Sequence, residues 1–154
     1  MRLALYQPDI PQNLGAAIRL AACLGLGLDI IEPCGFPLTD RALKRAALDY
    51  ADHAKVTRHP SFAAFRAAPE RAAGRLVLVE TDGAARFQDF AFSTGDTLVL
   101  GQESAGSPGE LYAAAQASVR VPMARGLRSL NVVAAAGIVL TEAMRQVGAW
   151  EKFD

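Results

Sequence analysis

The sequence predicts an α/β domain with a mostly parallel sheet flanked by helices, and three observations predict it. Short apolar runs of strand character alternate with stretches of helical periodicity along the chain. The strongest run, Arg75-Leu76-Val77-Leu78-Val79-Glu80, is apolar almost throughout, as a strand buried on both faces is. Three loops that each follow a strand, 9–15, 101–109 and 122–131, gather glycine, proline, asparagine and arginine. In parallel sheets ligands sit where such loops converge, at the carboxyl ends of the strands.

Taken in order, Leu3 to Tyr6 reads as a first strand and Asn13 to Leu24 as a helix stopped by Gly25 and Gly27. Residues 28–32 form a second strand. Thr39 or Asp40 caps a helix reaching to about Leu48, and Lys55 to Arg58 is a short strand. A helix follows Pro60, which suits a first turn. After the strand at 75–80, Thr97 to Leu100 is another, Pro108 to Gln116 is helical, and Ser118 to Val121 is the last strand. A long helix from about Leu130 to Val147, with Ser129 as its cap, ends the pattern. With 154 residues and no repeat, low-complexity tract or linker, residues 1–154 are expected to form one domain.

Composition narrows the function classes. Sixteen basic and sixteen acidic side chains cancel, so net charge by itself does not point to nucleic acid. The basic residues are nevertheless clustered. Arg41, Lys44 and Arg45 share helical spacing, and Arg120, Arg125 and Arg128 bracket one loop. Cys23 and Cys34 form no CxxC and read as reduced thiols, while His53 and His59 match no zinc spacing, so no metal is expected. There is no apolar run of membrane-spanning length, and the start lacks the apolar stretch of a signal peptide. The expected address is the cytoplasm.

Familiar motifs fail on inspection. Glu103-Ser104-Ala105-Gly106 imitates a nucleophile elbow, but Gln102 stands where the first glycine is required and both histidines precede Ser104. No loop ends in the Gly-Lys-Ser/Thr of a P-loop, and Gly25-Leu26-Gly27 precedes a strand instead of following one. Read singly, the three strand-following loops have structural explanations: Asn13 and Ser129 as helix caps, Arg19 on a solvated face, Met123 as packing.

Together they form a pattern. Pro11-x-Asn13-x-Gly15-x-x-x-Arg19 comes first, then Gly101-x-Glu103-x-x-Gly106-x-Pro108. Pro122-Met123, Arg128-Ser129-Leu130-Asn131 and Glu142-Ala143-x-Arg145-Gln146 follow. In this order the motifs resemble those of the SPOUT RNA methyltransferases. The segments Ile31-Glu32-Pro33-x-Gly35-Phe36, Leu48-Asp49-Tyr50 and Val56-Thr57-Arg58-His59 resemble one branch of them. That branch is the small bacterial 2′-O-methyltransferases of the tRNA wobble pyrimidine, which lack a separate RNA-binding domain.

The resemblance implies a C-terminal trefoil knot, S-adenosylmethionine as cofactor, a homodimer, and a tRNA anticodon loop as substrate. By motif position, Val79, Gly101, Val121, Met123, Ser129 and Leu130 are expected to hold the cofactor. Arg19, Asn13, Glu103, Ser129 and Asn131 are expected around the ribose hydroxyl, and Arg41, Lys44, Arg45, Arg125 and Arg128 on RNA phosphates. The resemblance casts Arg19 as general base; a guanidinium keeps its proton up to a pH of about 12, which makes that role costly, and a bidentate grip on an RNA phosphate explains Arg19 equally well. The chain departs from its relatives at Gln12, Ala16, Val132, Val133, Thr141 and Met144. The same chemistry on ribosomal RNA, an inactive cofactor-binding or RNA-binding module, and a Ser104 hydrolase stay open as alternatives.

Overall fold

In a computed structural model, which describes residues 1–47, 50, 53–71 and 74–153, seven strands form one sheet in the order β3-β2-β1-β6-β4-β7-β5. They are β1 (Arg2–Tyr6), β2 (Gly27–Ile31), β3 (Lys55–His59), β4 (Leu76–Val79), β5 (Ala85–Arg86), β6 (Thr97–Leu100) and β7 (Ala117–Arg120). Every pairing between them is parallel. The helices are α1 (Pro11–Cys23), α2 (Asp40–Ala47), α3 (Phe62–Ala67), α4 (Gly109–Ala114) and α5 (Val132–Gln146).

Strand residues alternate between two cores, as a period of two requires. Leu3, Leu5, Leu28, Ile30, Val77, Leu98 and Leu100 pack against Leu14 and Ile18 of α1 and Val139 and Leu140 of α5. Ala4, Tyr6, Ile31, Leu76, Leu78 and Val99 face Phe62 and Phe65 of α3 and Leu111 of α4. Burial on both faces explains why β4 and β6 read as unbroken apolar runs.

One buried polar group interrupts the second face. The Asp29 carboxylate accepts from Arg2 Nε and Nη2 at 2.7 and 2.9 Å and lies 2.8 Å from His59 Nε2. Asp29 is 2 % exposed, so its charge needs both partners.

Several expected boundaries shift for local reasons. Helix α1 begins at Pro11, whose missing N–H costs nothing in a first turn, so Asn13 lies inside the helix and is not its cap. Ser129 does not cap α5. Asn131 does, its Oδ1 accepting from Val133 N at 2.9 Å and Ala134 N at 3.2 Å. Ser61, not Pro60, starts α3, and Thr39 Oγ1 caps α2 by accepting from Ala42 N at 3.0 Å. Helix α4 is shorter than expected, and the two-residue β5 has too little apolar character to have been read from sequence. Leu48, the expected end of α2, and Asp49 of the Leu48-Asp49-Tyr50 segment lie outside the described residues.

The strand order places the site. The chain builds β1, β2 and β3 outward in one direction, then crosses to β4, and later inserts β6 between β1 and β4. The loops after β1, β4, β6 and β7 therefore meet at the carboxyl edge near the switch in strand order. Among the described residues no helix is long and apolar enough to cross a membrane.

Candidate active site

A cavity of about 430 Å³ opens at that edge, within the range of small-molecule sites. Val79, Gly101, Val121, Met123, Ser129 and Leu130, all six residues expected to hold a cofactor, line it. Asn13, Glu103 and Asn131 line it as well, so four of the five residues expected around the ribose hydroxyl, Ser129 included, are brought together. Arg128, one of the five residues expected on RNA phosphates, lines it too.

A string of hydrogen bonds ties three loops at the cavity wall. Glu103 Oε2 accepts from the Asp9 backbone N at 3.0 Å, and Glu103 Oε1 from Asn13 Nδ2 at 3.3 Å. Asn13 Oδ1 then accepts from Asn131 Nδ2 at 2.9 Å. Asn131 thus uses its amide nitrogen on Asn13 and its amide oxygen to cap α5. The loop after β1 is bent by Gln7, the sole non-glycine of positive φ (45°) among the described residues, a conformation that costs on the order of 1–3 kcal/mol and clusters at functional sites. Burial, and then the Asp9 carboxylate, push the Glu103 carboxyl above its ordinary value. Asp9 is held below its own by hydrogen bonding with Glu103 and with Ser104.

Two acidic residues at this site escaped the sequence reading. Glu80, at the end of β4, lines the cavity; its Oε1 accepts from Ser107 N at 3.0 Å and Ser107 Oγ at 2.6 Å. It thereby pins the loop after β6 to the loop after β4. That loop passes so close to itself that a Cβ on Gly101 would lie 2.2 Å from Ser107 Oγ, which explains the glycine. Asp9 is the second; its Oδ2 accepts from Ser104 N at 3.3 Å and from Ser104 Oγ. An acidic residue closing an apolar strand, at the edge where ligands bind, is the signal that could have found Glu80.

Arg19 is not brought to this cavity. It follows Asn13 by six residues on α1, which carries it about 9 Å along the helix and about a third of a turn around it. Its guanidinium carbon sits 4.9 Å from the Tyr50 ring centroid, a cation–π contact, and it lines a second, more apolar groove between α1 and α2. Arg45 lines the same groove. Arg41 and Lys44 are exposed on α2, and Arg125 is exposed on the loop after β7.

The hydrolase alternative loses its base. Ser104 Oγ donates to the Asp9 carboxylate, while His59 is buried beside Asp29 and Phe65. Among the described residues no group of three or more His, Cys, Asp or Glu side chains could hold a metal ion.

The cavity fits S-adenosylmethionine in character. Val79, Leu100, Val121, Met123 and Val132 offer an apolar slot of the kind an adenine ring fills, and Ser129, Asn13 and Glu103 place polar groups at its wall.

Comparison with known proteins agrees with this architecture. A tRNA (cytidine(34)-2′-O)-methyltransferase of Beijerinckia indica is 52% identical over 150 residues, covering 97% of this chain and 94% of its own. The protein of the same description from Escherichia coli K12 is 39% identical over 150 residues, covering 96% and 94%. A structure described as giving insights into the 2-OH methylation of C/U34 on tRNA superposes with a TM-score of 0.85 at 43% identity, covering 94% of both chains. The SpoU methyltransferase AviRb of Streptomyces viridochromogenes, solved with AdoMet, superposes at 0.80 with 28% identity, covering 95% of this chain and 60% of its own. Residues 1–141 match the description of the SpoU rRNA methylases as a family, and the chain belongs to that family.

Proposed function

We infer that this chain transfers the methyl group of S-adenosylmethionine to the ribose 2′-OH of the wobble-position pyrimidine in a tRNA anticodon loop. The observation that carries this reading is the hydrogen-bonded string Glu103–Asn13–Asn131, which joins three loops at one wall of a cofactor-shaped cavity. The 52% identical relative supplies the position of the target.

When bound, the cofactor supplies a methyl group activated by a sulfonium. Val79, Gly101, Val121, Met123, Ser129 and Leu130 hold it, with Glu80 fixing the loop behind it. Asn13, Glu103, Ser129 and Asn131 orient the attacking hydroxyl, so that much of the barrier is met by positioning. Arg128, at the cavity wall, and Arg125, beyond it, receive backbone phosphates of the RNA. A single-stranded loop suits such a site, because duplex RNA hides its base edges from side chains.

The working form is a homodimer. Arg19 stands outside the cavity of its own chain, and a second subunit is the source that would bring one to the hydroxyl. The exposed apolar side chain Ile138 on α5 and the groove beside α1 support an interface there. Arg41, Lys44 and Arg45 on α2 extend the basic surface on which RNA lies. The C-terminal trefoil knot belongs to the same reading: the loops after β4, β6 and β7 surround the cavity, and α5 returns beneath them. A tRNA-modifying enzyme is placed in the cytoplasm.

One other reading, the same chemistry on ribosomal RNA, is favoured by the family's description. Methyl transfer to separated tRNA and ribosomal RNA fractions decides between them. Label in tRNA alone is expected, and label in ribosomal RNA alone would move the substrate.

A further inference from the structure

The loop after β1 is held from two sides. On one side Gln7 N donates to Ile31 O at 2.8 Å and Gly35 N donates to Pro8 O at 3.0 Å, which lays the loop after β2 along it. The approach is so close that a Cβ on Gly35 would lie 2.5 Å from Asp9 Cβ, so the Asp9 side chain has a fixed seat. On the other side Asp9 bonds two successive residues of the loop after β6, in opposite senses. Its backbone N donates to Glu103 Oε2 at 3.0 Å, while its Oδ2 accepts from Ser104 N at 3.3 Å and from Ser104 Oγ. The first bond holds the Glu103 carboxylate, and the others hold the backbone that carries it. Asn13 Nδ2 takes the remaining oxygen, Oε1, at 3.3 Å, so each oxygen of Glu103 has a fixed donor. A glutamate side chain gives up several rotamers when it is fixed, and these bonds keep it in one. Asp9 itself stands behind Glu103, away from the residues lining the cavity.

We propose that Asp9 is a positioning residue for methyl transfer: it clasps residues 103 and 104 and so sets where the Glu103 carboxylate meets the ribose 2′-OH. Glu103 faces the cavity and touches the hydroxyl; Asp9 acts through it. The clasp works by geometry and not by charge. Oδ2 takes both bonds from Ser104, whereas Oδ1 is buried and has no hydrogen-bond partner. One acceptor oxygen in the place of Oδ2 is therefore all that the clasp uses, and an amide supplies it as a carboxylate does. The consequence for rate is large, because misplacing a group by about 1 Å costs on the order of 100-fold.

This inference rests on the methyltransferase reading for its reaction, but the clasp can be measured without RNA. Ser104 is exposed, so its amide should be protected from hydrogen exchange only through Asp9. In the free protein that amide should be protected in wild type and in Asp9→Asn, and should exchange at least about tenfold faster in Asp9→Ala. An unprotected Ser104 amide in wild type would overturn the clasp whatever the RNA substrate proves to be. In turnover, Asp9→Ala should lower kcat at least about tenfold, with KM for tRNA and the dissociation constant for S-adenosylmethionine within a factor of about two. Asp9→Asn should bring kcat back to within about threefold of wild type. In a Glu103→Ala background, Asp9→Ala should cost no more than about twofold further, since residues that act through one another do not add. Fully additive losses, or an Asp9→Asn enzyme as slow as Asp9→Ala, would overturn the positioning role alone. A wild type that methylates no RNA although its Ser104 amide is protected would overturn that role together with the reading it rests on.

Discussion

Asn131 Nδ2 donates to Asn13 Oδ1 across 2.9 Å, joining the cap of α5 to the first turns of α1 although 118 residues separate them in sequence. The same Asn131 side chain satisfies two free N–H groups of α5. Its two ends can therefore be tested apart. Asn131→Ala loses both and should cost about 1 kcal/mol of stability, the usual value of a cap. Asn131→Asp keeps the cap and removes the donor. Its urea midpoint should stay near wild type while methyl transfer falls at least about tenfold, the equivalent of one hydrogen bond of about 1.4 kcal/mol. Equal losses of stability in the two variants would contradict the division.

Glu80 lines the cavity beside the residues expected to hold the cofactor. Glu80→Ala frees Ser107 and unpins the loop after β6 from the loop after β4, so binding of S-adenosylmethionine should weaken about tenfold or more, given hydrogen bonds to a charged group of about 1.5–3 kcal/mol. At saturating cofactor the turnover number should recover most of its value. Calorimetric titration beside saturation kinetics reads both quantities. An unchanged dissociation constant would remove Glu80 from the account.

Arg19 should show the opposite split. Because it lies outside the cavity of its own chain, Arg19→Ala should leave cofactor binding unchanged and cut methyl transfer at least about 100-fold. Near-normal turnover would refute its assignment. Mixing Arg19→Ala with Glu103→Gln subunits should restore part of the activity if the arginine acts across a dimer, and none if it acts within one chain.

RNA affinity should fall steeply with salt, since each phosphate neutralised contributes a slope of about −0.7 in log K against log salt for single strands. Replacing Arg41, Lys44 and Arg45 together by Ala should flatten that slope by about two and leave cofactor binding untouched. Filter binding of tRNA over a salt series measures it. A slope unaltered by the triple substitution would place the RNA elsewhere.

Much of this was legible in the sequence because the signals were local. Both faces of β4 and β6 are buried, so their apolar runs stand out, and the glycines and prolines mark the three loops that meet at the cavity. The six residues that the motifs led one to expect around a cofactor line one cavity in the structure. What stayed hidden depends on partners far away in the chain. Asn13 reads as a cap because Asx residues so often are; only Glu103 and Asn131, brought by β6 and α5, show what its amide does. The buried group of Arg2, Asp29 and His59 forms across three strands, which no spacing reveals. Asp9 and Glu80 look like ordinary loop acids until Ser104 and Ser107 are seen hydrogen-bonded to them. Arg19 was grouped with Asn13 by motif, whereas helix geometry separates them.

The most direct test of the central claim is methyl transfer from labelled S-adenosylmethionine to unmodified and native tRNA, with the labelled nucleoside identified and positioned by mass spectrometry. The account predicts a 2′-O-methylated cytidine or uridine at the wobble position, lost in Glu103→Gln. Label on a base, or on a ribose elsewhere in the RNA, would contradict it.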